Sequence, residues 1–455
     1  MDILMTTRYQ LAVPLVATLA LALTTGCAVN SPSTDTAAPV TLNAIQGTVH
    51  GGQQAVSGAT ITAYATGTTG YGSASRVLGT TTTSSTGTFT LSAYNNCVAN
   101  DNIYIVATGG NPGVTGTHNN SALAMMTALG ACSGVSSTTK VTINELTTVG
   151  SIWALAPFMK DAAHIGTSAN NALGMTNAMN TIFLKMIDPT GGTAPSPFLN
   201  TNATFPAAEF NTLADILAAC INTVDSTSPA AQSSTCQTIL AAAAINSVTP
   251  TNTISAALNL AQNPTVGLSL FAQGTPTAPY QPTLGTTSAP TSWTMAISYA
   301  FNGLDNTPNV PKGIAIDPTG YVYSVGAGNS SGQNYNTLME VSPLTGSIIE
   351  THYTGDTIEN QPSALAIDTA GDIRTTDSAN NSLIETGPNA PIGGGGIHTG
   401  SGMSAPNAVA IDAAGNIWVT NHGNSSVSEF SSAGAAIGNF TSGIASPVAI
   451  AISPK

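Results

Sequence analysis

The residues Pro406-Asn407-Ala408-Val409-Ala410-Ile411-Asp412-Ala413-Ala414-Gly415-Asn416-Ile417-Trp418-Val419-Thr420-Asn421 are the most informative in the chain, because two earlier segments repeat them. One is Pro311-Lys312-Gly313-Ile314-Ala315-Ile316-Asp317-Pro318-Thr319-Gly320-Tyr321-Val322-Tyr323. The other is Pro362-Ser363-Ala364-Leu365-Ala366-Ile367-Asp368-Thr369-Ala370-Gly371-Asp372-Ile373. A fourth copy opens at Pro447-Val448-Ala449-Ile450-Ala451-Ile452. Successive starts lie 51, 44 and 41 residues apart, a spacing typical of propeller blades.

Each copy has a simple physical grammar. An apolar run makes an inner strand. The Asp then accepts backbone hydrogen bonds in a tight turn, and the Gly supplies positive φ. Asp317, Gly320, Asp368, Gly371, Asp412 and Gly415 are therefore expected to be structural turn residues, not a ring of metal ligands. A second strand carries an aromatic or branched residue, as at Trp418. Asn421-His422-Gly423-Asn424 turns again, Val427–Phe430 forms a third strand, and Ala436–Phe440 an outermost one. Four antiparallel strands of this kind make a blade. The second copy departs by placing Arg374 at the aromatic position, and the first carries an insertion near Ser331–Tyr335.

These units resemble NHL repeats, a β-propeller family, from about Pro311 to Lys455. The resemblance implies the fold but no single function, since the family spans hydrolases, lyases and binding platforms. Three blades and one strand do not close a ring, which needs about four to eight blades. A C-terminus truncated at Lys455 is the expectation, with an open arc paired to a second copy as the alternative. Thr294–Phe301 could supply an outer strand to the blade begun at Pro447.

Upstream, residues 141–275 change period. Leu146, Val149, Ile152, Trp153 and Ala156 recur at helical spacing, as do Leu173, Met179, Ile182, Phe183, Met186 and Ile187. Phe210, Leu213, Ile216, Leu217, Cys220 and Ile221 form a third stripe, and weaker helices follow at Cys236–Ile245 and Thr253–Gln262. Stripes of this kind bury against one another, which predicts a small α-helical bundle. The Pro- and Thr-rich residues 276–291 are expected to link it to the propeller domain, 292–455.

Residues 41–140 alternate with period two between Gly-rich turns. Leu42–Val49, Ala59–Tyr64, Thr88–Leu91 and Ile103–Ala107 are predicted strands of a small sandwich. Gly47-Thr48-Val49, Val56-Ser57-Gly58-Ala59-Thr60-Ile61 and Thr86-Gly87-Thr88-Phe89 resemble the carboxypeptidase regulatory-like domain. That resemblance implies a transthyretin-like β-sandwich serving as an accessory module without an active site. The fold class is thus multidomain and mainly β: sandwich, small helical bundle and partial NHL-type β-propeller.

The N-terminus reads as an export signal. Arg8 precedes the apolar run Leu11–Leu23, followed by Thr24-Thr25-Gly26-Cys27. The run falls short of the about 20 residues of a membrane span. Small residues before Cys27 resemble the lipobox of bacterial lipoproteins, although Thr24 stands where Leu is usual. The resemblance implies removal of a signal peptide, residues 1–26, and lipidation of Cys27, with 27–40 as a polar tether. The chain would then sit in the bacterial cell envelope, at the outer membrane or cell surface. Ordinary cleavage near Ala28 and secretion is the alternative.

Four other cysteines remain, Cys97, Cys132, Cys220 and Cys236, and four allow three pairings. The local pairs, Cys97 with Cys132 and Cys220 with Cys236, are the simplest, and an oxidising compartment permits both. No CxxC spacing or Cys/His cluster points to metal.

Composition narrows the partners. The 455 residues include 8 Lys and Arg against 21 Asp and Glu, a net charge of −13, with no basic cluster to bind nucleic acid. No phosphate loop, GxSxG or HExxH motif is present, and no cofactor is expected. Gly393–Gly396 is a glycine run without the spacing of a phosphate site. His422 with Glu429 is the best acid–base pair available, but a solvated turn histidine is the simpler account. The whole chain resembles exported NHL-repeat proteins of soil bacteria. That resemblance implies a membrane-anchored lipoprotein whose propeller binds or scaffolds a protein or carbohydrate, with self-association through open edges as a further expectation. The alternative is a metal-dependent lyase or esterase similar to streptogramin lyase. It would require His352, His398 or His422 to converge with carboxylates at the propeller axis.

Overall fold

The computed structural model describes residues 39–452, except 41–43, 53, 93–96, 115–117, 137, 195–202, 228–229, 300–309, 318, 328–335, 343–346, 355–360 and 388–395. The signal segment, Cys27, the insertion at 331–335 and most of the glycine run lie outside the described residues.

Among the described residues the main strands of the N-terminal sandwich are β1 (Ile45–Gly51), β2 (Thr60–Ala65), β3 (Arg76–Thr82), β4 (Thr88–Leu91), β5 (Asn102–Thr108), β6 (Ala124–Ala131) and β7 (Lys140–Ile143), with the short strand Gln54–Ala55 paired to β1. One sheet runs β3-β2-β5-β6, antiparallel throughout. In the other, β1 pairs antiparallel with β4 and parallel with β7. Alternation puts Ile45, Val49, Phe89, Leu91, Val141 and Ile143 into the core, all at most 4% exposed. Gly47 is required by close approach: a Cβ there would stand 2.5 Å from the Phe89 ring and from the Val141 carbonyl. Strand β7 lies across the expected division at 140/141.

The helical stripes form α1 (Glu145–Leu155), α2 (Ala172–Thr181), α3 (Ala207–Ile221), α4 (Ser234–Ala242) and α5 (Thr253–Gln262). Asn144 caps α1, its side chain accepting from Thr147 N at 2.9 Å while the Thr147 hydroxyl accepts from Asn144 N. These helices are not a self-contained bundle. They share one continuous hydrophobic core with the sandwich, because α1 lies against β6 as well as against α3 and α5.

The contact between α1 and β6 explains why. Among the described residues, strand β6 is a sheet edge with no strand beyond it. Thr148 Oγ1 accepts from Met126 N at 3.0 Å, Ser151 Oγ from Ala128 N at 3.1 Å, and Thr253 Oγ1 from Ala124 N at 3.0 Å. Thr147 Oγ1 donates to the Met126 carbonyl. Buried hydroxyls of two helices thus replace the missing strand and satisfy an edge that would otherwise be open.

Disulfides join Cys97 to Cys132 and Cys220 to Cys236. The second ties the end of α3 to the first turn of α4. The stretch read as a linker is docked along α3 instead: Asn211 Nδ2 donates to Pro282 O at 3.0 Å, and Leu284 N donates to Thr212 Oγ1 at 2.9 Å. Ser298–Tyr299 pairs with Ala203–Thr204, not with a blade, which corrects the expected outer strand Thr294–Phe301.

Three four-stranded antiparallel sheets follow in sequence order. The first contains β8 (Val310–Ile316), β9 (Val322–Ala327), β10 (Asn336–Val341) and β11 (Ile348–Thr354). The second contains β12 (Pro362–Ile367), β13 (Ile373–Asp377), β14 (Ser382–Thr386) and β15 (Gly396–His398). The third contains β16 (Pro406–Ile411), β17 (Ile417–Asn421), β18 (Ser426–Phe430) and β19 (Ala436–Phe440). The inner strand β12 lies between β8 and β16, as inner strands do around a propeller axis. Blades pack face to face: Val325, Leu338, Leu365, Ile373 and Ile384 fill the first junction, and Leu383, Ile417, Val419 and Phe430 the second. Pro447–Ile452 forms no strand, which corrects the expected fourth inner strand. No second strand stands beside it among the described residues, so its backbone has no ladder to join.

Candidate functional site

The repeated acids hold turns. Asp317 Oδ1 accepts from Thr319 N and Tyr321 N, both at 2.8 Å. Asp368 Oδ1 accepts from Ala370 N at 2.8 Å and Asp372 N at 3.0 Å. Asp412 Oδ1 accepts from Ala414 N and Asn416 N, both at 2.9 Å. Gly320, Gly371 and Gly415 close these turns with φ of 98°, 89° and 84°. In the third blade Trp418 Nε1 donates to Asp412 Oδ2 at 3.1 Å. That bond, followed by the backbone donors, holds the Asp412 carboxyl below its usual range.

Strand register places Tyr323, Arg374 and Trp418 at equivalent positions, opposite Ala315, Ala366 and Ala410. Arg374 is therefore a cation at an aromatic position, 2% exposed. Its Nη1 meets Glu385 Oε2 on the next strand, and its Nη2 donates to Ser432 O of the third blade at 3.0 Å. His398 Nε2 stands 3.0 Å from the same Glu385 oxygen. Burial alone would raise the Glu385 carboxyl, but Arg374 and then His398 outweigh it and hold it below its usual range. The His398 ring lies against Gly434, where a Cβ would come within 2.1 Å of it. Arg374, Glu385 and His398 thus form a polar staple between blades two and three. Arg374 and His398 each stood out in sequence, but their meeting at Glu385 needed the register.

Two acids with no sequence signature are buried in the α-helical region. Glu145, 0% exposed, accepts from Gly52 N at 2.8 Å and from Tyr280 OH at 2.6 Å. Asp215, 2% exposed, accepts from Tyr280 N at 3.1 Å through Oδ1. Its Oδ2 has no hydrogen-bond partner among the described residues. Burial pushes both carboxyls up to about 7. Burial, then the nearby Glu145 charge, pushes the Tyr280 hydroxyl up.

The remaining sequence candidates do not converge. His422 is exposed in its turn. Glu429 pairs across the ladder with Trp418, four residues from His422, or about 13 Å along an extended strand. The side chain of His352 lies outside the described residues. Among the described residues, no group of three or more His, Cys, Asp or Glu side chains could hold a metal ion.

The fold defines a mainly β, multidomain protein carrying propeller blades. No family model matches the chain, and neither does any curated protein. Solved structures similar to part of it include a virginiamycin B lyase from Staphylococcus aureus, at 20% identity over 32% of this chain and 45% of that chain, with a TM-score of 0.27. A streptogramin B lyase matches at 14% identity, over 32% of this chain and 45% of that one, with a TM-score of 0.26. A putative gluconolactonase matches at 15% identity, over 33% and 55%, with a TM-score of 0.27. The chain spans about half the length of these structures. The blade architecture rests on strand topology, and no activity passes from them to this chain.

Proposed function

We propose that the chain is an exported lipoprotein of the cell envelope whose propeller blades form a binding or scaffolding surface for a protein or carbohydrate. The observation that carries this is the employment of the blades' polar groups. The three repeated acids accept backbone N–H groups in turns, and the His398–Glu385 pair is engaged by Arg374. Two disulfides suit export to an oxidising compartment. Lipid on Cys27 would supply the membrane attachment. The test is the intact mass of protein extracted from membranes. The expected mass is that of a chain beginning at Cys27 with acyl groups, and Cys27→Ser should move the protein to the soluble fraction. An unmodified chain in the soluble fraction would overturn the anchor.

Self-association belongs to the same proposal. Ile314 and Ile316 on β8 are 71% and 63% exposed. Apolar side chains on open sheet edges favour pairing. Sedimentation velocity should show association that Ile314→Lys with Ile316→Lys abolishes.

A further inference from the structure

We infer that the outer face of the β4-β1-β7 sheet binds a saccharide chain bearing an isolated carboxylate. This goes beyond the proposed role of the blades and does not depend on it, because the face belongs to the sandwich. Strand register arranges six polar side chains in two rows. Thr90, Gln46 and Lys140 stand abreast, as do Thr88, Thr48 and Thr142. Neighbours are about 4.8 Å apart across strands and about 6.6 Å apart along them, so one ligand can touch several.

A threonine face is an ordinary way to meet solvent. This one is also walled. The 188–193 loop runs beside β7, where Thr142 N donates to Pro189 O at 2.8 Å, Thr142 Oγ1 to Thr190 O at 2.7 Å, and Asn144 Nδ2 to Gly192 O at 2.7 Å. The wall turns the face into a groove of about 420 Å³. Lys140 and Thr190 also border a second depression of about 260 Å³, where Phe183, Leu129 and Pro189 supply apolar surface.

The lining selects the occupant. Hydroxyls both donate and accept hydrogen bonds, which suits them to a polyol. Phe183 and its neighbours can meet the C–H face of a sugar ring. Among the described residues, Lys140 is the single cation in either lining. On a chain of net charge −13, it would draw one carboxylate while the whole molecule repels a polyanion.

The test is binding of the full chain to an array of neutral oligosaccharides, oligosaccharides bearing a single uronic acid, and polyuronic oligosaccharides, followed by titration of those bound. Capture of the oligosaccharides bearing a single uronic acid is expected. Thr48→Val with Thr90→Val should weaken binding tenfold or more, and Lys140→Gln should abolish the preference for acidic over neutral sugars. Unchanged melting curves would show that these variants still fold. No binding anywhere on the array, or equal binding by wild type and variants, would overturn the site. Binding of neutral sugars alone would overturn the carboxylate assignment. Sugar binding that the groove variants leave unchanged would belong to the blades and not to this face, and loss of the lipid anchor would leave these outcomes unaltered.

Discussion

Arg374 and Glu385 face each other across β13 and β14, with Nη1 of one 2.5 Å from Oε2 of the other. The equivalent positions of the flanking blades hold Tyr323 and Trp418. An ion pair here replaces aromatic packing; Arg374 is buried, but Glu385 is partly exposed and keeps His398 as a partner, so removing the arginine strands Glu385 only in part. Arg374→Ala should cost about 2–3 kcal/mol of stability. Arg374→Met with Glu385→Leu, which removes both charges, should cost far less. Urea denaturation of the two variants checks this, and equal losses would show that the stranded charge is not what Arg374→Ala costs.

Glu145 should make stability depend on pH. Its folded pKa, about 7, lies above the ordinary value of 4.5, so folding favours the protonated form. Its contribution is fully present below about pH 4.5 and is lost as pH rises through 7, a change of about 3 kcal/mol. Asp215 acts in the same direction. Glu145→Gln should flatten the profile. Hydrogen-exchange protection in residues 274–285, which Tyr280 pins to Glu145 and Asp215, should fall from pH 5 to pH 8 in the wild type once the base-catalysed intrinsic rate is divided out.

The hydroxyl seal on β6 predicts an isosteric effect. Thr148→Val keeps volume but removes the acceptor for Met126 N, both groups being buried. The stranded N–H should cost about 1–3 kcal/mol. Thr176→Val, on the exposed side of α2, should cost less than about 0.5 kcal/mol by thermal melting.

The disulfide from Cys220 to Cys236 closes a loop with a sequence separation of 16. Replacing both cysteines with Ala should cost about 3 kcal/mol, chiefly by freeing the unfolded chain. A melting temperature insensitive to reductant in the wild type would contradict this.

Blades, strands and helices were legible locally, because each rests on a pattern spanning few residues. Alternation in Thr60–Ala65, the Asp-to-Gly turn at Asp412–Gly415 and the stripe from Phe210 to Ile221 each state their own structure. Their partners across the chain were not legible. That α1 seals β6 follows from which hydroxyls are left facing Met126 and Ala128 once both surfaces are buried. Ser298–Tyr299 read as strand, but only packing assigned it to Ala203–Thr204. The same holds for Glu145 beneath Tyr280, 135 residues away. An acid in a first helical turn looks solvated in sequence, and only the docking of residues 274–285 encloses it. Local propensity chose the elements, whereas long-range burial decided which polar groups must find each other.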